Sequence, residues 1–292
     1  MILLGQVIGN GLLVGGIYVL AAIGVSLLFG VMRIVNFAHG EFIMLGAYAA
    51  YWGFALWGLD PILTLPASVL IVAAVGAVVY LLVIEPALEA PRLNQILLTF
   101  GVAVTLQNLA LLLWQSDYRS VKTWYSSMPL RLGEWSFGAA RIGGFVLALG
   151  LTLALHLFLR RSETGRGLRA VAQDADAASL MGVDLRRARF LAFVLSAALG
   201  GAAGVVTSLI MYTSPFVGFQ VLLKAFAVVV LGGMGSVAGG VIGGLTLGLV
   251  ESLTGQYVPG GTGLAEGISF VLLIAILVVR PQGIFGDEAA LH

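Results

Sequence analysis

Charge-free stretches dominate the chain. Runs without Asp, Glu, Lys or Arg cover 1–32, 42–59, 61–84, 93–116, 142–159, 190–223 and 225–250, and a last apolar run occupies 267–279. A helix needs about 20 apolar residues to cross about 30 Å of hydrocarbon. Turn residues divide these runs into helices predicted at 5–31, 42–58, 62–84, 95–115, 143–159, 190–212, 219–231, 237–255 and 264–280. The pattern predicts an all-α fold: a polytopic membrane helix bundle of about eight or nine transmembrane segments, forming a single domain over 1–292.

One segment departs from the rest. Residues Phe219 to Leu231 would rise only about 20 Å as a helix, too little to span alone. They lie between Ser214-Pro215 and the glycine-rich turn Gly232-Gly233-Met234-Gly235-Ser236. A broken or re-entrant helix is predicted here, an arrangement found where backbone lines a cavity or is buried in protein.

Composition fixes the solvent. Of 292 residues 60% are hydrophobic and 10% charged, against about 25% charged in a soluble domain. The formal net charge of +1 supplies no basic stripe for nucleic acid. Cysteine is absent, which removes disulfides and thiolate metal sites. The stretch from Met1 to Met32 carries no charge, unlike the basic start of a secretory signal, and reads as a retained transmembrane helix.

The arginines set the orientation. Residues 160–189 hold seven of the 15 basic residues, which places this connection in the cytoplasm. Alternation then puts the N-terminus and 116–142 outside, and the C-terminus is expected in the cytoplasm. The loop proper spans about 162–187, where Gly165-Arg166-Gly167 is expected to break the chain after Arg160-Arg161 ends a helix. Within it Arg169 precedes a short helix expected over 175–181, with Asp174 as N-cap, Asp176 in the first turn and Gly182 as the left-handed stop. Its tip is apolar, Leu180 and Met181. Such a helix either docks as a rigid unit on a soluble partner or lies solvated on lipid headgroups.

The stretch Asp176-Ala177-Ala178-Ser179-Leu180-Met181-Gly182 resembles the Glu-Ala-Ala-x-x-x-Gly signature in the cytoplasmic loop of ABC importer permeases, with Asp in place of Glu and without the Ile-x-Leu-Pro ending. Gly15-Gly-Ile-Tyr-Val-Leu-Ala-Ala-Ile-Gly-Val-Ser-Leu-Leu-Phe-Gly30, Arg33-Ile-Val-Asn-Phe-Ala-His-Gly-Glu41, Gly232-Gly-Met-Gly-Ser-Val-Ala-Gly-Gly-Val-Ile-Gly-Gly244 and Arg280-Pro-Gln-Gly-Ile-Phe-Gly286 are similar, in order, to motifs of the branched-chain amino acid permease family, which also has urea and amide relatives. The resemblance implies an inner-membrane permease subunit, with a second related permease, two ATPase subunits binding ATP and Mg, and a periplasmic protein delivering leucine, isoleucine, valine or similar amino acids.

The chain itself carries no Gly-x-x-x-x-Gly-Lys-Ser/Thr loop, so it has no such ATP site and no cofactor of its own is expected. The rival readings are an amide importer of the same family, an ion-driven secondary carrier and a membrane enzyme. A proton-driven carrier needs ionisable groups deep in its helices, whereas nearly all 14 acids sit in loops or near helix ends. No nucleophile–base constellation emerges for an enzyme.

Four further groups stand out. Asn36, His39 and Glu41 either hydrogen-bond a tight helix connection or form a gate or coupling contact; one His and one carboxylate do not complete a metal site. Gln107 and Asn108 lie mid-helix, where they either line a wet passage or bond across a helix interface. Gly232, Gly233, Gly235, Gly239, Gly243 and Gly244, with Gly240 and Gly248, suit close helix approach. Lys224 and Glu251 are isolated charges near apolar segments, and spacing does not say whether they meet.

Overall fold

The computed structural model describes residues 2–280 and 283–284. The central element is α1 (Ile2–Met32), 31 residues long. Its middle, Ile17 to Ile23, is completely enclosed, with Tyr18 the largest side chain. A helix that is apolar all round belongs in the middle of a bundle. Around it pack α2 (His39–Trp57), α5 (Ala139–Arg161), α8 (Leu185–Ser208), α9 (Val217–Gly232) and α10 (Val237–Tyr257). The remaining elements are α3 (Pro61–Val79), α4 (Arg92–Trp114), α6 (Glu163–Gln173), α7 (Ala175–Leu180) and α11 (Gly261–Val279).

Local chemistry accounts for the helix limits. Asp60 caps α3 by accepting a 2.9 Å bond from Ile62 N, and Pro61 supplies a pre-set φ at the first position. The same helix continues through a π turn, Tyr80–Ile84, and a 3-10 turn, Glu85–Ala87, before Pro91 starts α4. Gly58 ends α2 in the left-handed conformation at φ 63°.

Among the described residues six helices are long and apolar enough to cross a membrane: Leu3–Met32, Pro61–Ala87, Arg92–Trp114, Ala139–Arg161, Leu185–Ser208 and Val237–Tyr257, with Val217–Gly232 a shorter apolar one. Their outward faces are hydrophobic. Leu82 and Leu112 are 72% and 81% exposed, an arrangement that hydrocarbon solvates without cost and water does not.

The architecture is not purely helical. Residues in the connection after α4 form a hairpin of β1 (Pro129–Leu132) and β2 (Trp135–Gly138), paired antiparallel with Leu132 opposite Trp135. Sequence reading treats 116–142 as a plain loop, because four-residue strands are too short to show a period. The hairpin is anchored on α1: Gln6 Nε2 donates to Ser136 O at 2.6 Å and Gln6 Oε1 accepts from Ser136 N at 2.8 Å.

The helices approach one another through glycine. A Cβ on Gly46 would lie 2.2 Å from Gly201 O, joining α2 to α8, and one on Gly248 would lie 2.4 Å from Gly11 O, joining α10 to α1. Contacts this short leave no room for any side chain.

Candidate functional site

The arginine-rich connection folds into two helices. Ser162 caps α6, its Oγ accepting from Gly165 N at 2.9 Å. The Gly165-Arg166-Gly167 stretch, which glycine content marks as a break, lies inside α6 instead. Its Gly165 is pressed against α5, where a Cβ would stand 2.3 Å from Phe158 O, and Leu168 and Val171 are buried beside it. Tertiary contact outweighs the low helix propensity of glycine here. Arg169 follows on the same helix and lines a cavity of about 230 Å³ with His156 and Arg160.

The next helix is α7, one residue shorter than the sequence suggests. Asp174 Oδ1 accepts from Ala177 N at 2.9 Å, Asp176 sits in the first turn, and Gly182 takes φ 88°. Val183 N donates to Ala178 O at 3.0 Å, closing the end. Ala178 faces inward at 4% exposure, whereas Leu180 and Met181 are 89% and 85% exposed. Ala177 and Ser179 are also exposed. The result is a rigid post with an apolar tip, held by Ala178 to the body of the protein.

Asn36, His39 and Glu41 come together at the α1–α2 connection, all buried. His39 Nε2 lies 3.2 Å from Ala21 O; a carbonyl only accepts, so Nε2 carries the hydrogen and Nδ1 accepts from Ser196 Oγ at 3.1 Å. One imidazole thereby ties α2 to α1 and α8. Asn36 Oδ1 accepts from Ala38 N at 3.0 Å. Among the described residues Glu41 Oε2 and Asn36 Nδ2, both buried, have no hydrogen-bond partner. The adjoining Arg33 has φ 53°, a left-handed conformation uncommon outside glycine.

The two amides of α4 have different surroundings. Gln107 Nε2 reaches Pro215 O, in the turn before α9, at 3.5 Å. Asn108 is exposed, and its Nδ2 donates to Val104 O of its own helix at 2.8 Å.

The turn glycines pack α9 onto α10. A Cβ on Gly232 would lie 2.2 Å from Gly239 O, and one on Gly243 2.7 Å from Val228 O. Gly244 serves α1 instead, with Val19 Cγ2 2.6 Å from its virtual Cβ. Gly233 and Gly235 make the turn itself, at φ 99° and 86°. Pro281, Gln282, Phe285 and Gly286 of the terminal motif, and the C-terminus, lie outside the described residues.

The structure also joins residues that spacing left apart. Lys224 on α9 stands 3.1 Å from Glu251 Oε1 and 3.2 Å from Oε2 on α10. Tyr18 of α1 donates to Glu251 Oε2 at 2.6 Å and accepts from Lys224 Nζ at 3.0 Å. The available signal was two lone charges in apolar surroundings, which seek partners; their meeting depends on how α9 packs. Near the opposite end of α4, Arg119 lies over the rings of Tyr51 and Trp52 and pairs its backbone with Thr213.

Residues 7–277 match the family described as branched-chain amino acid transport system / permease component. The chain is 33% identical to the high-affinity branched-chain amino acid transport system permease protein LivH of Salmonella typhimurium, covering 95% of this chain and 94% of that one. Identity to BraD of Pseudomonas aeruginosa, of the same description, is 34%, over 96% and 95%. LivM of Escherichia coli is more distant, at 27% identity over 92% of this chain and 67% of its own length. With six candidate spans, a match along nearly its whole length and relatives of equal extent, this multi-pass membrane protein belongs to the permease-component family of branched-chain amino acid transport systems.

Proposed function

We propose that the chain is the inner-membrane passage of an ABC importer for branched-chain or closely related amino acids. It works with a second, related permease, two ATPase subunits that bind ATP and Mg, and a periplasmic binding protein. The relatives' descriptions support the substrate class, and the 27% likeness to LivM supports a related permease as the partner.

The observation that carries the mechanism is α7. Its cap, its stop and the buried Ala178 fix a short rod whose Leu180 and Met181 side chains are almost fully exposed. Two apolar side chains held out in water favour a partner's groove. Closure of the ATPase pair would push this tip, and α6, packed on α5 and α1, would pass the displacement to the spans. We place 162–187 in the cytoplasm accordingly, as the coupling loop of a single domain over 1–292. Arg169, Asp174, Asp176, Ala177, Leu180, Met181 and Gly182 belong to this ATPase-coupling loop, with Ala178 as its buried anchor.

Eight or nine segments enter the bilayer, and α9 is the broken one. Its 16 residues rise about 24 Å, less than the hydrocarbon thickness. Buried Thr213, Ser214 and Pro215 lead into it, and its Gly218 rests on Gly40 at the start of α2. Gln107 borders the passage at this non-helical stretch, whereas Asn108 faces outward. Asn36, His39 and Glu41 hold the α1–α2 connection in place, and the close-packed glycines let α9 and α10 move as a pair.

The test is reconstitution with the ATPases and binding protein, comparing wild type with Leu180→Asp. Wild type should take up labelled leucine only with ATP. The variant, altered at an exposed site, should assemble in the membrane but hydrolyse ATP without uptake. Uptake by the permease alone under a proton or sodium gradient would refute the reading.

A further inference from the structure

A second cavity, of about 570 Å³, opens at the arginine-rich end of the bundle between the end of α1, the start of α4, the start of α8 and the α6–α7 junction. Its size falls within the range of small-molecule sites. Three arginines from three different helices or their ends line it, Arg33, Arg92 and Arg189. The ion pairs among the described residues are Arg166–Glu163, Arg186–Glu85 and Lys224–Glu251, so none of the three is paired. Three unpaired cations on one cavity repel each other unless an anion lies between them.

The cavity is not simply an anion hole. Asp174 and Asp176 also line it. Asp174 Oδ1 already accepts from Ala177 N, so Asp176 is the carboxylate with both oxygens clear of the α7 cap. Val31, Ile34 and Leu88 add aliphatic lining. An inorganic anion would satisfy the arginines while facing Asp176 at a cost. A molecule with one carboxylate, one ammonium and an aliphatic side chain matches all three kinds of lining: guanidinium, carboxylate and aliphatic.

We infer that this cavity binds an aliphatic amino acid as its zwitterion, taken from the cytoplasm, and that occupancy restrains α7. The carboxylate sits on the arginine forks, which recognise it through paired, charge-assisted hydrogen bonds. The ammonium sits on Asp176, two residues after the α7 cap. Because Asp174 and Asp176 belong to the coupling helix, a bound ligand ties that helix to α4 and opposes its displacement. Transport would therefore slow as product accumulates, an effect exerted on the permease itself. This inference rests on the import reading proposed above.

The experiment uses the complete transporter in proteoliposomes, with ATP enclosed beside the ATPases and labelled leucine presented outside on its binding protein. The lumen holds either no amino acid or millimolar leucine. Initial uptake and ATP hydrolysis should both fall at least about threefold with luminal leucine. Arg92→Gln removes one fork from α4, outside the coupling loop, and should raise the half-inhibiting concentration about tenfold, as expected for one hydrogen bond to a charged group. Its rate with an empty lumen should match wild type, and Arg92→Lys should fall between. Leucinamide, lacking the carboxylate, and 4-methylpentanoate, lacking the ammonium, should each inhibit weakly. Inhibition by 4-methylpentanoate or inorganic phosphate as strong as that by leucine would overturn the zwitterion site in favour of a plain anion site. Wild-type uptake indifferent to luminal leucine, or inhibition unchanged in Arg92→Gln and Arg92→Gln/Arg189→Gln, would overturn the inference while leaving import intact. No ATP-driven uptake with an empty lumen would overturn both.

Discussion

Removing one side of the Lys224–Glu251 pair should cost more than removing both. Glu251→Leu takes from Lys224 two contacts, at 3.1 and 3.2 Å, and takes from Tyr18 its 2.6 Å acceptor. The lysine and glutamate side chains are 17% and 12% exposed, so water replaces these contacts poorly. Breaking a buried pair from one side typically costs about 3–5 kcal/mol, and the residual exposure argues for the lower end, about 3 kcal/mol. Replacing both by apolar residues of similar size, Lys224→Met with Glu251→Leu, should cost only about 1 kcal/mol, because no uncompensated charge is left. The double-mutant cycle should therefore show a coupling of at least about 2 kcal/mol. The assay is reversible unfolding of the purified permease in mixed micelles, followed by loss of helix signal. Additive single and double changes, within about 0.5 kcal/mol, would refute the argument that the pair is a shared, enclosed unit joining α1, α9 and α10.

Three further outcomes follow from particular contacts. Gly248→Leu should destabilise by about 3 kcal/mol or abolish assembly, because even a Cβ meets Gly11 O at 2.4 Å and overpacking costs about 1–3 kcal/mol before larger clashes; Gly143→Leu, where nothing lies within 4 Å, is the control, and equal melting temperatures would contradict close packing. Asn108→Ala should change stability by less than about 0.5 kcal/mol, as expected for an exposed site, whereas Gln107→Ala should alter uptake kinetics through the turn before α9; a change confined to melting temperature would favour a purely structural amide. Burial, reinforced by the hydrogen bond to Asp60, pushes Tyr125 from its ordinary 10.0 up to about 12. The unfolded chain therefore loses this proton first, so the stabilisation is present below pH 10 and lost as pH rises through about 12. Tyr125→Phe should flatten that decline, measured as melting temperature against pH, and an identical slope would exclude the contribution.

The sequence by itself marked the apolar helices long enough to cross hydrocarbon, six of them among the described residues, because twenty uncharged residues have one favourable solvent whatever their neighbours do. It also marked α7, since a cap, an acidic first turn and a glycine stop act within a few residues of one another, and the structure differs there by one position. Local signals misplace α6, whose glycines suggest a break until Gly165 meets the backbone of α5. They omit the hairpin, which depends on Gln6 more than a hundred residues away.

Tertiary structure alone decided what the isolated polar residues do. His39 is a three-helix tie because Ala21 and Ser196 stand on either side of it. Lys224 and Glu251 form a pair because glycine contacts along α9 and α10 bring their backbones close enough. Arg33, Arg92 and Arg189, which along the chain are ordinary basic residues near helix ends, share one cavity only after the helices pack. Hydrophobicity is read one residue at a time against its solvent. The worth of a charge depends on what stands a few ångströms away, and that is set by the fold.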